Sequence, residues 1–312
     1  MLLQVDEVIK RFGSTLALDC CSMQVEEGEV VGLLGPNGAG KTTCIRSIIG
    51  LIPIDEGSIT VFSRNQDGKN REIRRNIGYV TQEITIYEQM SGRDNLAFFA
   101  SLYGMDKQSI ARRIEEVAQV IGLEGRLDDK PKHYSGGMKR RLNIGCALMH
   151  RPSLIIMDEP TVGIDPQSRS FILSFVKQLA REGSTIIYTS HYIEEVEAVA
   201  SRIYIMDSGH MIAQGTLPEL IARIQGDHFI EVEVRIASEE KKQQLLRLPD
   251  IKEVALEGSR YRIVVPGGIP VLDKVVMILS EQGLVTINTK QPNLEDVFLT
   301  LTGKQLRDEV QS

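Results

Sequence analysis

The stretch Gly35-Pro36-Asn37-Gly38-Ala39-Gly40-Lys41-Thr42 puts a lysine and a hydroxyl directly behind a glycine-rich loop. It fits G-x-x-x-x-G-K-[ST] at every required position, and Thr43 follows it. A triphosphate is a dense cluster of anionic oxygens. Glycines let backbone N–H groups curl around such a cluster, and a helix starting near Lys41 would aim its positive end at it. Lys41 adds a point charge for the terminal phosphates, and the Thr42 hydroxyl can ligate Mg²⁺. The apolar run Val30-Val31-Gly32-Leu33-Leu34 before the loop reads as a buried strand. The segment from Thr43 to Ile49 reads as a helix that Gly50 ends.

A second run, Leu154-Ile155-Ile156-Met157, stops abruptly at the carboxylates Asp158 and Glu159. In an open parallel sheet, ligands gather at the carboxyl ends of the strands, so both carboxylates are expected at the nucleotide. Asp158 is the candidate Mg²⁺ holder, and Glu159 is placed to polarise an attacking water. On its own, such a pair would also fit the start of a surface loop.

Tyr134-Ser135-Gly136-Gly137-Met138 lies just before that strand. Ser135 can cap a helix start while Gly136 and Gly137 expose N–H groups to an anion, although Ser-Gly-Gly alone also reads as a flexible turn. Together with the P-loop, this makes the chain resemble the ATP-binding subunit of an ABC transporter, whose signature is Leu-Ser-Gly-Gly-Gln. The Ser-Gly-Gly centre is intact, while Tyr134 and Met138 depart from the pattern at either end. The resemblance implies a head-to-tail homodimer in which Ser135, Gly136 and Gly137 of one chain face the ATP held by the other.

The same resemblance assigns further residues. Tyr79-Val80-Thr81-Gln82 is similar to the Q-loop, with Gln82 reaching Mg²⁺ and the water. Gly163-Ile164-Asp165-Pro166 is similar to the D-loop, with Asp165 near the dimer's nucleotide. His191 matches the switch histidine at the γ-phosphate. Phe12 matches the aromatic residue that stacks on adenine, where the family more often has Tyr; a core or loop Phe is the alternative. A membrane partner is expected to dock beside the Q-loop, around residues 82–91. There Ile84, Ile86, Tyr87 and Met90 would either floor a groove or pack into the chain's own core.

The chain has 312 residues, a net charge of −6 and 42% hydrophobic residues. Negative charge disfavours nucleic acid and anionic lipid as partners. No apolar run approaches the roughly 18–20 residues that span a bilayer, and the first residues do not read as a signal peptide. A soluble, cytoplasmic chain is expected, peripheral at the membrane through separate permease subunits. The four cysteines show no C-x-x-C pairing, which suits a reducing compartment, and Cys44 and Cys146 are expected to pack as small apolar residues. The basic cluster Lys139-Arg140-Arg141 reads as a solvated helix face, with contacts to an acidic partner loop as the alternative.

The elements that must position these residues follow from periodicity. The first 28 residues alternate as short antiparallel strands around a turn at residues 11–14. Residues 94–122 turn helical, and strands near 154–157, 185–188 and 203–206 alternate with helices near 166–181 and 193–201. From about residue 228 the order becomes β-α-β-β-α-β, similar to a ferredoxin-like unit. Its ending, Pro292-Asn293-Leu294-Glu295-Asp296-Val297-Phe298-Leu299, resembles ATPases paired with ABC-2-type permeases.

The expected fold class is α/β, with three parts. An ABC ATPase domain spans 1–218, with antiparallel β and helical subdomains, the latter at about 90–150. A linker helix covers 219–228, and an α+β accessory domain covers 229–312. The expected function is ATP·Mg²⁺ hydrolysis coupled to export. The rival is a non-transport ABC ATPase acting on ribosomes or DNA. Such proteins usually carry two cassettes or a long coiled coil, whereas this chain has one P-loop and no sustained heptads between Gln82 and Ser135. A regulatory module that only holds ATP is a third possibility, against which Glu159 argues.

Overall fold

A computed structural model describes residues 1–223, 227–266, 271–290 and 293–302. These fall into two compact units, Met1–Thr216 and Leu217–Ser312. Ile224, Pro292 and residues 303–312, assigned above to the linker helix, the closing motif and the accessory domain, lie outside the described residues.

The first unit opens with strands β1 (Leu3–Phe12) and β2 (Thr15–Val25). These are longer than the short strands expected, and Phe12 pairs with Thr15, so Phe12 closes β1 instead of lying within the turn. Then come β3 (Val30–Leu34), α1 (Lys41–Ile49), β4 (Glu56–Val61), β5 (Arg64–Asn65), α2 (Arg71–Arg75) and β6 (Ile77–Val80). Helices α3 (Gly92–Leu102), α4 (Lys107–Ile121) and α5 (Gly136–Leu148) follow. The unit continues with β7 (Leu154–Asp158), α6 (Pro166–Arg181), β8 (Thr185–Ser190), α7 (Ile193–Val199), β9 (Arg202–Asp207) and β10 (His210–Gly215).

Two sheets result. One is antiparallel, in the order β2-β1-β4-β5, and the other has six strands in the order β10-β9-β3-β8-β7-β6. Strands β9, β3, β8, β7 and β6 run parallel, and β10 closes the edge antiparallel. Every residue of β3, β7 and β8 is buried, as expected for parallel strands covered on both faces. Alternation then sorts the side chains by face. Leu154, Ile156 and Ile187 point to the core shared with α1 and the antiparallel sheet. Ile155, Met157, Ile186 and Tyr188 point to the core shared with α6. Helices α3, α4 and α5 enclose a separate apolar cluster around Leu96, Ile114, Val117 and Leu142.

The second unit contains α8 (Leu217–Arg223), β11 (Asp227–Val234), α9 (Glu239–Leu246), β12 (Glu253–Glu257), β13 (Arg260–Pro266), α10 (Leu272–Leu279), β14 (Leu284–Lys290) and α11 (Leu294–Thr302). Its sheet runs β12-β13-β11-β14 with every neighbour antiparallel. It has its own core, in which Ile230, Val232 and Ile263 pack with Leu245, Val275 and Leu279.

Candidate functional site

Strands β3, β8 and β7 are neighbours and parallel, so their carboxyl ends lie side by side. Leu34, which precedes the glycine-rich loop, pairs with Ser190, which precedes His191. Asp158 pairs with Thr189. This adjacency gathers side chains spread over 150 positions of sequence into one place.

The loop leads into α1, which starts at Lys41. The first N–H groups of any helix have no intrahelical acceptor, so those of α1 point toward whatever the loop holds. Gly40 sits at φ 106°, and a Cβ there would lie 2.7 Å from the Ala17 carbonyl oxygen. Neither the backbone angle nor the space admits a side chain. The Lys41 ammonium donates to the carbonyls of Gly35 at 2.7 Å and Pro36 at 3.1 Å, and it lies 3.0 Å from Glu159 Oε1.

Glu159 is the meeting point. His191 Nδ1 is 3.3 Å from its Oε2, and Gln82 Nε2 donates to the same oxygen at 3.4 Å. Its backbone is held left-handed at φ 46°, and its N–H donates to Thr189 Oγ1 at 2.9 Å. Burial alone would raise its carboxyl pKa. The His191 hydrogen bond and the Lys41 charge outweigh burial and lower it to about 2.

Asp158 accepts hydrogen bonds from Thr189 Oγ1 at 2.8 Å, Thr42 Oγ1 at 3.4 Å and the Tyr79 hydroxyl at 3.3 Å. Burial first, and then the Asp158 charge, push the Tyr79 hydroxyl up to about 12, so it stays a donor. Among the described residues, no group of three or more His, Cys, Asp or Glu side chains is arranged to hold a metal alone. One carboxylate beside one hydroxyl at a phosphate loop is the donor set that suits Mg²⁺, which takes few protein ligands and completes its shell with phosphates and water.

Two clefts meet at Thr42 and Gln82. One, of about 490 Å³, is lined by residues 15–17 of β2, residues 37–43, Gln82, Glu159 and the turn Ser208-Gly209. The other, of about 430 Å³, includes Arg46, Tyr79 and Asp158. Sequence reasoning missed Thr15, Leu16, Ala17 and Tyr79 at these clefts, and the buried Thr189 that bonds both Asp158 and Glu159. For Tyr79 and Thr189 a signal was available, since each lies in an apolar run near a strand end.

Other expected site residues lie apart from this centre within one chain. Phe12 is half-exposed, lines neither cleft, and has the Lys10 ammonium 5.4 Å from its ring centre. Ser135 caps α5 by accepting from the Met138 N–H at 3.2 Å, and Gly136 is exposed. Asp165 caps α6 by accepting from the Ser168 N–H at 2.9 Å, which holds its carboxyl below the usual range. Gly137 lies where α5 meets α6: a Cβ there would be 1.8 Å from Ser168 Oγ.

The two departures from the signature pattern have structural roles. Tyr134 is buried in the cluster of α3, α4 and α5, where its hydroxyl donates to the Arg126 carbonyl at 2.5 Å. Met138 packs against the same cluster.

The basic cluster beside the signature is not a solvated face. Arg140 is 3% exposed and donates to the carbonyls of Thr81 at 2.7 Å and Gln82 at 2.5 Å. Arg141 donates to the carbonyls of Ile121 and Gly122, both at 2.9 Å, and covers the Phe171 ring. Lys139 pairs with Glu88. One turn beyond Arg140, Asn143 Oδ1 accepts from the N–H and hydroxyl of Thr85, each at 3.1 Å. The signature helix thus grips the segment that carries Gln82. Guanidinium groups are weakly hydrated and fork-shaped, so they can cap unpaired carbonyls in a crowded site.

Comparison with known proteins gives a consistent answer. The family model described as ABC transporter matches residues 18–162. The linearmycin resistance ATP-binding protein of Bacillus subtilis (strain 168) is 42% identical, over 98% of this chain and 100% of that protein. A daunorubicin resistance ATP-binding protein of Streptomyces coeruleorubidus is 36% identical, over 94% of this chain and 92% of that one. Nod factor export ATP-binding protein I of Cupriavidus metallidurans is 34% identical, over 98% and 99%. Among solved structures, a cbiO1 subunit from Clostridium perfringens aligns at TM-score 0.66 and 27% identity, covering 80% of this chain and 96% of that one. A dimeric ATP-binding cassette in a post-hydrolysis state, bound to ADP and Pi, aligns at TM-score 0.63 and 25% identity, over 69% and 98%.

Proposed function

The chain belongs to the ATP-binding subunits of ABC transporters, and on that premise we propose how its residues share the work of hydrolysis. The chain binds and hydrolyses ATP as the energy-coupling subunit of an exporter. The observation that carries the assignment of roles is the convergence of Lys41, His191 and Gln82 on Glu159 at three neighbouring strand ends.

In this reading, residues 35–43 cradle the phosphates and Lys41 leaves Glu159 for the terminal phosphate. Glu159 is a weak base while Lys41 and His191 hold its charge. Transfer of Lys41 to the nucleotide raises its proton affinity at the moment a water needs activation. His191 keeps its contact with Glu159 and turns its other ring nitrogen to the phosphate. Thr42, Asp158 and Gln82 would hold Mg²⁺, which when bound neutralises phosphate charge. Phe12 takes the face of the adenine.

Ser135, Gly136 and Gly137 complete the site of a second copy, with Asp165 at the same junction. Support comes from the exposure of Ser135 and Gly136 at the start of α5, away from the chain's own clefts, and from the dimeric state of the related cassette. Separate permease subunits dock beside Gln82, where Ile84 and Tyr87 are exposed, and they hold the chain at the cytoplasmic face of the membrane. The second unit acts as an accessory domain outside the chemistry. The permease selects the cargo.

The deciding experiment is Glu159→Gln. This variant should keep ATP affinity and lose turnover by roughly 10²-fold or more, the scale for a general base. It should also accumulate as an ATP-bound dimer on a sizing column. Near-normal hydrolysis would remove Glu159 from this role.

A further inference from the structure

Glu195, in the first turn of α7, is 2% exposed, and the reading above gives it no task. Its Oε2 accepts three hydroxyl hydrogen bonds: from Thr161 at 2.7 Å, Tyr188 at 2.9 Å and Ser190 at 3.0 Å. Its Oε1 lies 3.2 Å from Arg169 Nε on α6. One buried carboxylate therefore joins four pieces of the chain.

Three of these partners lead to the reacting centre without belonging to it. Thr161 is two residues beyond Glu159, and Ser190 immediately precedes His191. The Ser190 hydroxyl also accepts from the Tyr192 N–H at 2.9 Å. Arg169 lies 4.4 Å from the Tyr192 ring, which in turn packs 4.1 Å from the His191 ring. Arg169 is on the helix that Asp165 caps.

The cost of this arrangement argues for a task. An ionised carboxylate accepts and never donates, so all three hydroxyls must turn their hydrogens toward it. Burying such a group is expensive, and an apolar side chain of similar size would anchor α7 with equal or better stability. What an apolar residue would not supply is direction, because it leaves Thr161 and Ser190 free to rotate. Removing the charge would release both the segment after Glu159 and the one before His191.

We propose that Glu195 is a positioning residue that holds Glu159 and His191 in register with each other through Thr161, Ser190 and Arg169. The proposal rests on the roles assigned to Glu159 and His191 above. It predicts a loss in the chemical step without a loss in nucleotide binding, because the four side chains that meet the Glu195 carboxylate all lie outside the phosphate loop.

The test uses the full-length chain carrying Glu195→Gln, Thr161→Val or Thr161→Ser, with Glu159→Gln in parallel. Glutamine keeps the size and presents an NH₂ group that cannot accept from the hydroxyls. Valine keeps the shape of threonine and deletes one donor. Glu195→Gln should lower kcat by about 10- to 100-fold, the range for misplacing a reacting group by a fraction of an ångström to an ångström. Affinity for a fluorescent ATP analogue should move by less than about twofold, which separates loss of chemistry from loss of binding. Thr161→Val should fall in the same direction, and Thr161→Ser should restore turnover. If Glu195→Gln does not fold, the Thr161 pair carries the test alone. A lower melting temperature with unchanged kcat would make the hub purely structural and overturn the proposal. So would equal losses in kcat and affinity. Normal turnover by Glu159→Gln would instead remove the premise, and the two failures are told apart by which variant stays active.

Discussion

Lys41 Nζ lies 3.0 Å from Glu159 Oε1, with both side chains almost fully buried. The cation proposed to bind phosphate and the candidate base thus neutralise each other. The His191 hydrogen bond and this charge hold the Glu159 carboxyl at about 2, against an ordinary value of 4.5. A carboxyl whose pKa is lowered on folding stabilises the fold fully above its unfolded value. That contribution is lost as pH falls through the folded value. The stability difference between wild type and Glu159→Gln should therefore stay constant above about 4.5 and change progressively down to about 2. Urea unfolding of the nucleotide-free proteins across this range measures it. A difference independent of pH would show that the Glu159 charge is not held this way.

Complementation tests the composite site. A Ser135→Arg chain keeps its phosphate loop, and a Lys41→Ala chain keeps its signature. Only a heterodimer can assemble one intact site from the two. Random pairing of equal amounts should restore up to about a quarter of wild-type ATPase activity, since half the two-fold dimers are mixed and each has one good site. Mixtures as inactive as either parent, with heterodimers shown to form, would argue against sharing in trans.

The Gly137 contact predicts a specific rescue. A Cβ on Gly137 would stand 1.8 Å from Ser168 Oγ and 2.5 Å from Ser168 Cβ. Gly137→Ala should destabilise the chain by about 1–3 kcal/mol through overpacking. Adding Ser168→Gly removes both clashing atoms and should return most of that loss in urea unfolding. Purely additive destabilisation would mean the two helices do not meet there.

The proposed permease contact separates two neighbouring residues. Tyr87 is 49% exposed and leans on Phe98 and Phe99, whereas Ile86 packs against the core of α3, α4 and α5. Tyr87→Glu should cost the isolated chain no more than about 1 kcal/mol of aromatic contact and abolish co-purification with the permease. Ile86→Glu should destabilise the isolated chain by about 2 kcal/mol or more. A Tyr87→Glu chain that still co-purifies would place docking elsewhere.

The sequence by itself determined the chemistry and the order of elements. Phosphate cradling requires glycines, a lysine and a hydroxyl within eight positions, so that demand is written in one contiguous stretch. Strands ending at Asp158 and just before His191 are legible because apolar runs break at polar residues, and parallel sheets place such ends together. The same locality explains what stayed hidden. Whether Arg140 meets water or the Gln82 carbonyl depends on a loop 58 positions away. Whether Ile86 is buried depends on how α3, α4 and α5 close over it. Nothing near Glu195 in the chain announces that Thr161, 34 positions earlier, will donate to it. The Lys41–Glu159 pair likewise joins two motifs that were read separately as phosphate binder and base. Polar groups take their meaning from the partners present when water is gone, and only the tertiary structure selects those partners.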